Sequence, residues 1–276
     1  MTINKFGTDK LSDKVTPNIT FSAQHRHHFT SNQSLFSWES VHCDHPRAMA
    51  REGFRPALLV VDMQEDFCPP SGTLAVPNAR TILPLINHLL SLPTFTLRIA
   101  TKDWHPPTHI SFAPNHSPTT RPFLDTTTIT NPLNPQETYT THLWPIHCLQ
   151  DTPGASLVPE LNTSKLDHII HKGQNPQVEM YSAFYSPLRN PTISDSGLAK
   201  ILHSAEITHV YVVGLAADYC VRCTAEDAKM EGFKTYIIEE GTKAVDPEGW
   251  EKCKAEIEGK GVKVVSIGGE EVKRLF

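Results

Sequence analysis

A cysteine placed where an apolar run gives way to a helical pattern is the strongest chemical signal in this sequence. From His209 to Cys223 the chain has an apolar β-branched stretch, a turn of Gly and Ala, and then Cys220 (HVYVVGLAADYCVRC). At the start of a helix, the positive end of the helix dipole and the unpaired N–H groups favour a thiolate over a thiol. The same N–H groups can bind the oxyanion of a tetrahedral intermediate. The pattern therefore predicts a cysteine nucleophile.

Two other interpretations of Cys220 start from the same residues. Free cysteine is among the most buried residue types, so Cys220 could simply pack in the core. Cys220 and Cys223 also form a CxxC pair, but a single pair without a second CxxC is weak evidence for a structural zinc site. The residues at the ends of the other predicted strands decide between these interpretations.

Chemically active side chains follow the other predicted strands where each strand ends. Asp62 follows ALLVV, and Lys172 follows HIIH. Asp103 comes directly after LRIATK, and His105 comes two residues later. Each alone could be a turn residue or a solvated surface group. Because ligands bind outside the carboxyl ends of strands in an open parallel sheet, their coincidence at one edge predicts an active site.

The residue types Asp, Lys and Cys suit acyl transfer. A thiol with an ordinary pKa of about 8.5 needs a base at neutral pH, and Asp62 is the carboxylate at the neighbouring strand end. Lys172 would keep Asp62 ionised and offset negative charge that develops on sulfur and substrate. Lys172 could also serve only as an ion-pair partner of Asp62, and the two roles are compatible.

A second set of residues has the composition of a metal site. Asp103 and His105 lie two residues apart, so they point to one side of an extended strand, and WPIHC supplies His147. One carboxylate and two imidazoles suit a divalent ion such as zinc and leave positions open for water or substrate. Cys148 is a competing ligand, and His109 is a further candidate that suits a loop hydrogen bond better.

The chain around these residues alternates between strand and helix patterns from Pro56 onward, which predicts an α/β fold. We expect a parallel, doubly wound sheet of about six strands with helices on both faces. Asn78 is the predicted N-cap of the first helix. The predicted strands are 57–62, 96–104, 168–173, 209–214, 234–240 and 262–267, and the predicted helices are 79–90, 194–204, 220–231 and 247–258.

Composition limits the class of protein. The 276 residues carry a net charge of -5, which gives no basic surface for nucleic acid, and no apolar run reaches the ~18 residues of a membrane span. Six scattered cysteines indicate reduced thiols in an intracellular protein. We expect a cytoplasmic location, with the nucleus and the peroxisome left open, although the final RLF is no peroxisomal SKL-type signal.

Two segments differ in composition from the predicted domain at 55–276. Residues 1–54 are polar and lack apolar periodicity, which predicts a flexible extension in which a metal role for His25, His27 and His28 is the weaker interpretation. Residues 106–144 are rich in Pro and Thr, so we expect an extended loop or lid there rather than core.

Six segments, in this order, resemble the nicotinamidases, which are nicotinamide and pyrazinamide deamidases among the isochorismatase-like cysteine hydrolases. The resemblance covers about 57–267. DWH together with WPxHC is similar to the metal-bearing nicotinamidase branch, whereas Asp, Lys and Cys are shared more widely. The segments are VVDMQEDFC, KDWHPPTHISFAPNH, WPIHC, HKG, YSAFY and GLAADYCV.

The resemblance implies roles for the residues already singled out and adds several more. Phe67 and Trp144 would flank the substrate ring, with Leu215 also in contact, and the metal would take the pyridine nitrogen. A cis peptide between Leu215 and Ala216 would turn the N–H groups of Ala216 and Cys220 into an oxyanion hole. The implied catalytic triad is Asp62, Lys172 and Cys220, and the implied metal ligands are Asp103, His105 and His147.

The function that the resemblance implies is hydrolysis of nicotinamide to nicotinate and ammonia through a thioester, in NAD salvage. Pyrazinamide is an expected second substrate, and the expected cofactor is one divalent metal ion, Zn²⁺ ahead of Fe²⁺ or Mn²⁺. A homo-oligomer is compatible with the sequence. The alternatives are a metal-free amidase or isochorismatase-type hydrolase and a binding protein without turnover; a zinc deaminase would need HxE and PCxxC signatures that are absent. Ala217 stands where many relatives have Thr, and the insertion at 117–142 is long.

Overall fold

A computed structural model describes residues 53–276, and its central feature is a six-stranded parallel sheet. Every strand predicted from the sequence overlaps one strand of this sheet. The longest apolar run, β1, is buried on both faces along its whole length, as expected for a central strand covered by helices. The sheet strands are β1 (Pro56–Val61), β2 (Leu97–Asp103), β5 (His168–Lys172), β6 (His209–Leu215), β7 (Lys234–Lys243) and β8 (Lys263–Val265).

The strand order β5-β2-β1-β6-β7-β8 determines where a ligand can bind. The chain builds outward from β1 in one direction through β2 and β5, and then restarts on the other side of β1 with β6, β7 and β8. The order therefore reverses between β1 and β6, and in doubly wound sheets the ligand crevice opens at this switch point, beyond the carboxyl ends of the strands. The predicted α/β class and doubly wound sheet are confirmed.

Helices cover both faces of the sheet, and the alternation of side chains along β1 shows how. Leu58 and Val60 pack with α1 and α5, whereas Ala57, Leu59 and Val61 belong to the opposite core with α2, α3 and α4. The two cores hold the strand ends at fixed positions. The helices are α1 (Leu83–Ser91), α2 (Leu198–Ser204), α3 (Arg222–Met230), α4 (Trp250–Gly259) and α5 (Glu270–Lys273).

The first predicted helix differs from the observed one at its beginning. Residues Ala79–Ile82 form a 3₁₀ turn, and α1 begins only at Leu83, with a proline in its first turn. Asn78 has a left-handed backbone (φ 57°) and its side chain makes no capping hydrogen bond, so the predicted N-cap is wrong. The Asn78 carbonyl instead accepts a hydrogen bond from the Thr81 N–H at 3.0 Å.

The predicted loop at 106–144 contains regular structure. Its strands β3 (Thr126–Asn131) and β4 (Asn134–His142) pair as an antiparallel hairpin outside the main sheet. The hairpin lacks an apolar alternation because most of its side chains are exposed or half-buried, which is why the pattern did not predict it. β-branched threonine is nonetheless compatible with strands.

Two further observations concern the predicted N-terminal extension and membrane-spanning helices. All but the last two residues of the predicted extension at 1–54, including the three histidines, lie outside the described residues. Within 53–276, every helix is too short or too polar to cross a bilayer.

Candidate active site

The loop after β1 and the end of β6 bring the predicted base and the predicted nucleophile to the switch point. Asp62 has a left-handed backbone (φ 51°), which turns the chain out of β1 at once. Gly214, near the end of β6, lies so close to β1 that an added Cβ would be 2.1 Å from the Val61 carbonyl oxygen. No other residue type fits at Gly214, and its lack of a side chain keeps β6 paired with β1 up to the site.

Lys172, at the end of β5, lies between the predicted nucleophile and two carboxylates. Its Nζ is 3.0 Å from Oδ2 of Asp62 and 3.4 Å from Sγ of Cys220, and it donates a hydrogen bond to Oδ1 of Asp103. The lysine side chain is fully buried. Although burial alone would lower the pKa of Lys172, the two carboxylates raise it well above its usual value, so the ammonium form persists.

Asp62 has the environment of a carboxylate that can exchange a proton. Burial and the nearby Asp103 raise its pKa, while Lys172 and the hydroxyl of Thr101 lower it, and the net shift is upward. Thr101 Oγ donates to Oδ1 at 2.6 Å. Oδ2 contacts the lysine without hydrogen-bond geometry to any described residue, so it keeps a lone pair for a proton.

Cys220 differs in one respect from the sequence-based prediction. It lies in a π-helical turn, Ala217–Val221, that precedes α3, and π-turns occur frequently at functional sites. Burial raises the pKa of its thiol well above the usual value, although Lys172 acts in the opposite direction. Burial thus outweighs the effect of the helix end, and the thiol needs a base, the role that the sequence predicts for Asp62. The reactive atoms of Cys220, Asp62 and Asp103 lie within 4.8 Å of one another.

The predicted metal ligands also converge. Nε2 of His105 and Nε2 of His147 are 3.5 Å and 3.9 Å from Oδ2 of Asp103. Each ring holds its Nδ1 2.8 Å from a backbone carbonyl, that of Gly173 for His105 and that of Pro145 for His147. Nδ1–H donation to these carbonyls leaves both Nε2 atoms free as acceptors, and potential ligand atoms of His105, His147 and Asp103 lie within 4.8 Å of one another. This is the tautomer that metal-ligating histidines adopt.

The electrostatics of this triplet fit a divalent cation. Nε2 of His105 is buried and without a hydrogen-bond partner among the described residues, which would be costly unless a cation or proton occupied the position. Burial and the neighbouring His105 lower the pKa of His147, which favours the neutral form that binds metal. Against the effect of burial, Lys172 and His105 lower the pKa of Asp103, so its carboxylate is ionised.

The competing metal ligands do not join this cluster. The ring of His109 lies 4.1 Å from that of His105 at an interplanar angle of 36°, but its nitrogens contact Oγ of Ser111 at 2.8 Å and the carbonyl of Val178 at 3.2 Å. Burial lowers the pKa of His109 to about 4. Cys148 is buried, and among the described residues the group of potential ligands around Asp103 does not include it. His109 is therefore the hydrogen-bonding residue that the sequence favoured.

A narrow cavity opens onto Cys220 and the predicted metal ligands Asp103 and His147. Its wall is mainly aromatic and aliphatic, which suits contact with a small planar ring. Phe67 and Trp144 line it, as the resemblance implied. Leu215 does not line it, because this residue is fully buried in the core, and Ala216 takes its place. The other lining residues are Leu74, Glu179, Tyr181, Tyr219 and Val245.

The turn after β6 differs from the cis turn that the resemblance implied. Both cis peptides among the described residues precede proline, at Pro69-Pro70 and Asn190-Pro191, so the predicted cis bond between Leu215 and Ala216 is wrong. Ala216 reverses the chain instead through a left-handed backbone (φ 58°, ψ 61°). This conformation achieves the change of direction without the ~3 kcal/mol that a non-proline cis bond costs.

Comparison with known proteins places the chain in a family. The isochorismatase domain family matches residues 56–268. A nicotinamidase of Acinetobacter baylyi is 42% identical over 193 residues, which cover 70% of this chain and 83% of that protein. The chain belongs to the isochorismatase family. Like the nicotinamidases that it matches within that family, it is a hydrolase of amide C–N bonds.

Solved structures of nicotinamidases share the fold. The yeast nicotinamidase bound to the inhibitor nicotinaldehyde has a TM-score of 0.71 and 34% identity, and the match covers 76% of this chain and 99% of that one. A pyrazinamidase of Pyrococcus horikoshii in complex with zinc has a TM-score of 0.58 and 36% identity, over 77% and 99% of the two chains. The α/β sheet described above is the fold of this family.

The structure adds residues to the site that the sequence did not single out. Thr101 bonds Asp62, and Tyr181 OH accepts a hydrogen bond from Nε1 of Trp144 at 2.9 Å. Asp218 accepts hydrogen bonds from the N–H groups of Val245 and Asp246, both at 2.9 Å, and so fixes a wall of the cavity. Asp218 was visible in GLAADYCV, but its partners are 27 and 28 residues away, so only the tertiary structure reveals its role.

Proposed function

We propose that this family member is a nicotinamidase that hydrolyses nicotinamide to nicotinate and ammonia. The observation that carries the proposal is the arrangement of three groups around one small cavity: a buried cysteine, a proton-exchanging carboxylate and a metal-ligand triplet. The relatives named above support the same substrate, since they are nicotinamidases and one is bound to nicotinaldehyde. We infer that the product enters NAD salvage.

The proposed reaction begins with proton transfer from Sγ of Cys220 to Asp62. The thiolate then attacks the carboxamide carbon, and the carbonyl oxygen becomes an oxyanion with the Lys172 charge nearby. The N–H groups of Ala216 and Cys220 remain the proposed donors to this oxyanion, presented by the left-handed turn at Ala216 instead of a cis peptide bond. Asp62 returns the proton to the amide nitrogen, the C–N bond breaks, and ammonia leaves. The acyl group remains on sulfur as a thioester.

Hydrolysis of the thioester reuses the same carboxylate. Asp62 takes a proton from water, and the resulting hydroxide attacks the thioester carbon. The C–S bond breaks, the carboxylic acid product forms, and the proton on Asp62 returns to the sulfur of Cys220. The raised pKa of Asp62 suits this alternation between acid and base, because a group with an ordinary carboxyl pKa would hold the proton too weakly.

Asp103, His105 and His147 would hold one divalent metal ion, and we propose Zn²⁺, with Fe²⁺ or Mn²⁺ as alternatives. The fit rests on the unpartnered Nε2 of His105 and the ionised carboxylate of Asp103. When bound, the ion supplies an open coordination position for the ring nitrogen. Asp103 and His147 line the cavity, so the ring would lie between Phe67 and Trp144 with its carboxamide toward Cys220.

A pyrazinamidase activity follows from the same geometry. Pyrazinamide has the same carboxamide and a ring nitrogen in the equivalent position, and one matching structure is that of a pyrazinamidase. The substrate is a small molecule in either case. A homo-oligomeric state is compatible with the proposed function.

The experiment that tests the proposal measures ammonia release from nicotinamide by the full chain before chelation, after chelation, and after metal is restored. Benzamide, which lacks the ring nitrogen, is the matched substrate. We expect chelation to abolish turnover, metal to restore it, and benzamide to have a kcat/KM at least about a hundredfold below that of nicotinamide.

Three outcomes would contradict parts of the proposal. No ammonia release with restored metal would indicate a binding protein. Turnover that chelation leaves unchanged would indicate a metal-free amidase of the same family. Similar kcat/KM values for benzamide and nicotinamide would show that the ring nitrogen is not bound by the metal, and the protein would then be a general aryl amidase.

A further inference from the structure

Gln64 is a fully buried polar residue that the proposed reaction does not use. It lies two residues after Asp62, and its side-chain amide makes three hydrogen bonds. Nε2 donates to the carbonyl of Asp103 at 2.8 Å and to the carbonyl of Ala155 at 3.0 Å, and Oε1 accepts the N–H of Asp103 at 2.7 Å. One side chain thus satisfies both backbone groups of a predicted metal ligand.

The reason for this arrangement lies in the register of the sheet. β2 pairs with β1 only as far as the pair of Val60 and Ala100, and it continues for three more residues to Asp103. On its other side Asp103 is still opposite Lys172 of β5. β1 turns away at Asp62, so the Asp103 N–H and C=O on that side have no strand to bond.

The Gln64 amide replaces the missing strand. An amide presents a donor and an acceptor with the spacing of a backbone peptide, so it pairs with Asp103 as a neighbouring strand would. The backbone of Gln64 is itself fixed, because it forms a β-bridge with Leu157. The end of β2 is therefore held on both sides, by β5 and by Gln64.

The fixed backbone determines where the Asp103 carboxylate points. Oδ2 faces the two histidine nitrogens, and Oδ1 accepts from Lys172, so a rotation or shift of this residue would disturb both sets of contacts. We propose that Gln64 is a positioning residue: it holds Asp103 in the geometry that the metal requires. This inference rests on the metal site of the proposed function and extends it to a residue outside the ligand set.

The test compares Gln64→Met with the wild-type full chain. Met has nearly the same length and apolar volume but cannot form the three hydrogen bonds. We expect the Zn²⁺ dissociation constant, measured by competition with a chromophoric chelator, to rise by about tenfold or more, as for other outer-sphere partners. We also expect the visible absorption bands of the Co²⁺-substituted protein to change, and KM for nicotinamide to rise more than kcat falls.

Gln150→Met is the matched control. Nε2 of Gln150 donates to the carbonyl of Trp104, the next residue along the chain, at 2.9 Å, but Trp104 is no ligand. We expect this variant to keep a Zn²⁺ dissociation constant and a Co²⁺ spectrum close to those of the wild type. A loss of affinity that is equal in the two variants would show a general effect of polar deletion and would overturn the inference.

Two further results separate this inference from the proposed function. If the wild type binds no metal, the metal site itself is wrong. If the wild type binds metal and folded Gln64→Met binds it within twofold, only the role of Gln64 is wrong. Should Gln64→Met not fold, hydrogen exchange in the wild type decides: the Asp103 amide is expected to exchange slowly, and rapid exchange would refute its pairing with Gln64.

Discussion

Replacement of Gly173 by alanine is expected to perturb the proposed metal site from a single backbone position. Gly173 follows Lys172 and has a left-handed backbone (φ 68°), and its carbonyl lies 2.8 Å from Nδ1 of His105. A Cβ at this position would be 2.3 Å from Cε1 and 2.6 Å from Nδ1 of the same imidazole. The added methyl therefore meets the ring that the Gly173 carbonyl orients.

The substitution is expected to have two effects, a loss of folding stability and a loss of metal affinity. A left-handed alanine costs about 1–2 kcal/mol of folding free energy, which corresponds to a decrease in Tm of about 2–8 °C for a domain of this size. An ordinary carbon contact of about 3.5 Å requires the ring to move by roughly 1 Å, whereas metal–ligand distances tolerate only about 0.2 Å. His105 would then be lost as a ligand, and the Zn²⁺ dissociation constant would rise at least about a hundredfold.

Gly197→Ala is the control that separates the effect on stability from the effect on metal affinity. Gly197 also has a left-handed backbone (φ 80°), but an added Cβ would have no atom within 4 Å. We expect a similar loss of Tm and unchanged metal affinity, measured by thermal denaturation and chelator competition. Wild-type affinity in Gly173→Ala, together with a Tm loss equal to that of Gly197→Ala, would refute the assignment of His105 as a ligand.

Three further predictions concern the reacting groups and the cavity wall. Cys220→Ala is expected to lower nicotinamide turnover by about 10⁴-fold or more while metal content stays at the wild-type level, and Cys223→Ala should remain active; turnover within tenfold in Cys220→Ala would exclude a covalent mechanism. Asp218→Asn weakens two charge-assisted hydrogen bonds in the cavity wall, so KM for nicotinamide should rise by about threefold or more with little change in kcat, and an unchanged KM would contradict this. Thr101→Val removes a hydrogen bond that favours the ionised form of Asp62. The pKa of that carboxyl should therefore rise further, and the acidic limb of the kcat/KM profile should move to higher pH by about one unit; a shift to lower pH would show that Asp62 is not the base.

The sequence was sufficient to predict the sheet because its strands are short apolar runs. β6 is buried at all seven positions, and its run HVYVVG could hardly form an amphipathic helix. A polar residue ends or directly follows β1, β2 and β5, and Cys220 follows β6 after a short turn. The topology rule for parallel sheets then predicted that Asp62, Asp103, Lys172 and Cys220 lie at one edge. Their proximity in the structure follows from that rule rather than from any local contact.

The supporting residues could not be predicted in the same way. Gln64 and Thr101 stand within strand-like or loop segments where a polar residue has many ordinary uses. Their roles depend on which strand ends first, and this depends on the register between β1 and β2. The tight turn at Ala216 (φ 58°) was likewise not predictable, because alanine is not a residue type that favours a left-handed backbone. The periodicity of apolar residues predicts which side chains are buried, but it does not predict the register between two strands.

The sharing of one lysine by two carboxylates explains why the two halves of the site have different chemistry. Lys172 donates a hydrogen bond to Oδ1 of Asp103, whereas its Nζ lies 3.0 Å from Oδ2 of Asp62 without hydrogen-bond geometry. Burial and the neighbouring Asp103 raise the pKa of Asp62, whereas Lys172 together with His105 and His147 lowers the pKa of Asp103 against the effect of its burial. The charge that suits a metal ligand and the proton affinity that suits a base thus arise from the different neighbours of the two carboxylates. Lys172 lies at the end of β5 opposite Asp103 of β2, and in the proposed positioning role Gln64 holds the end of β2 beside it.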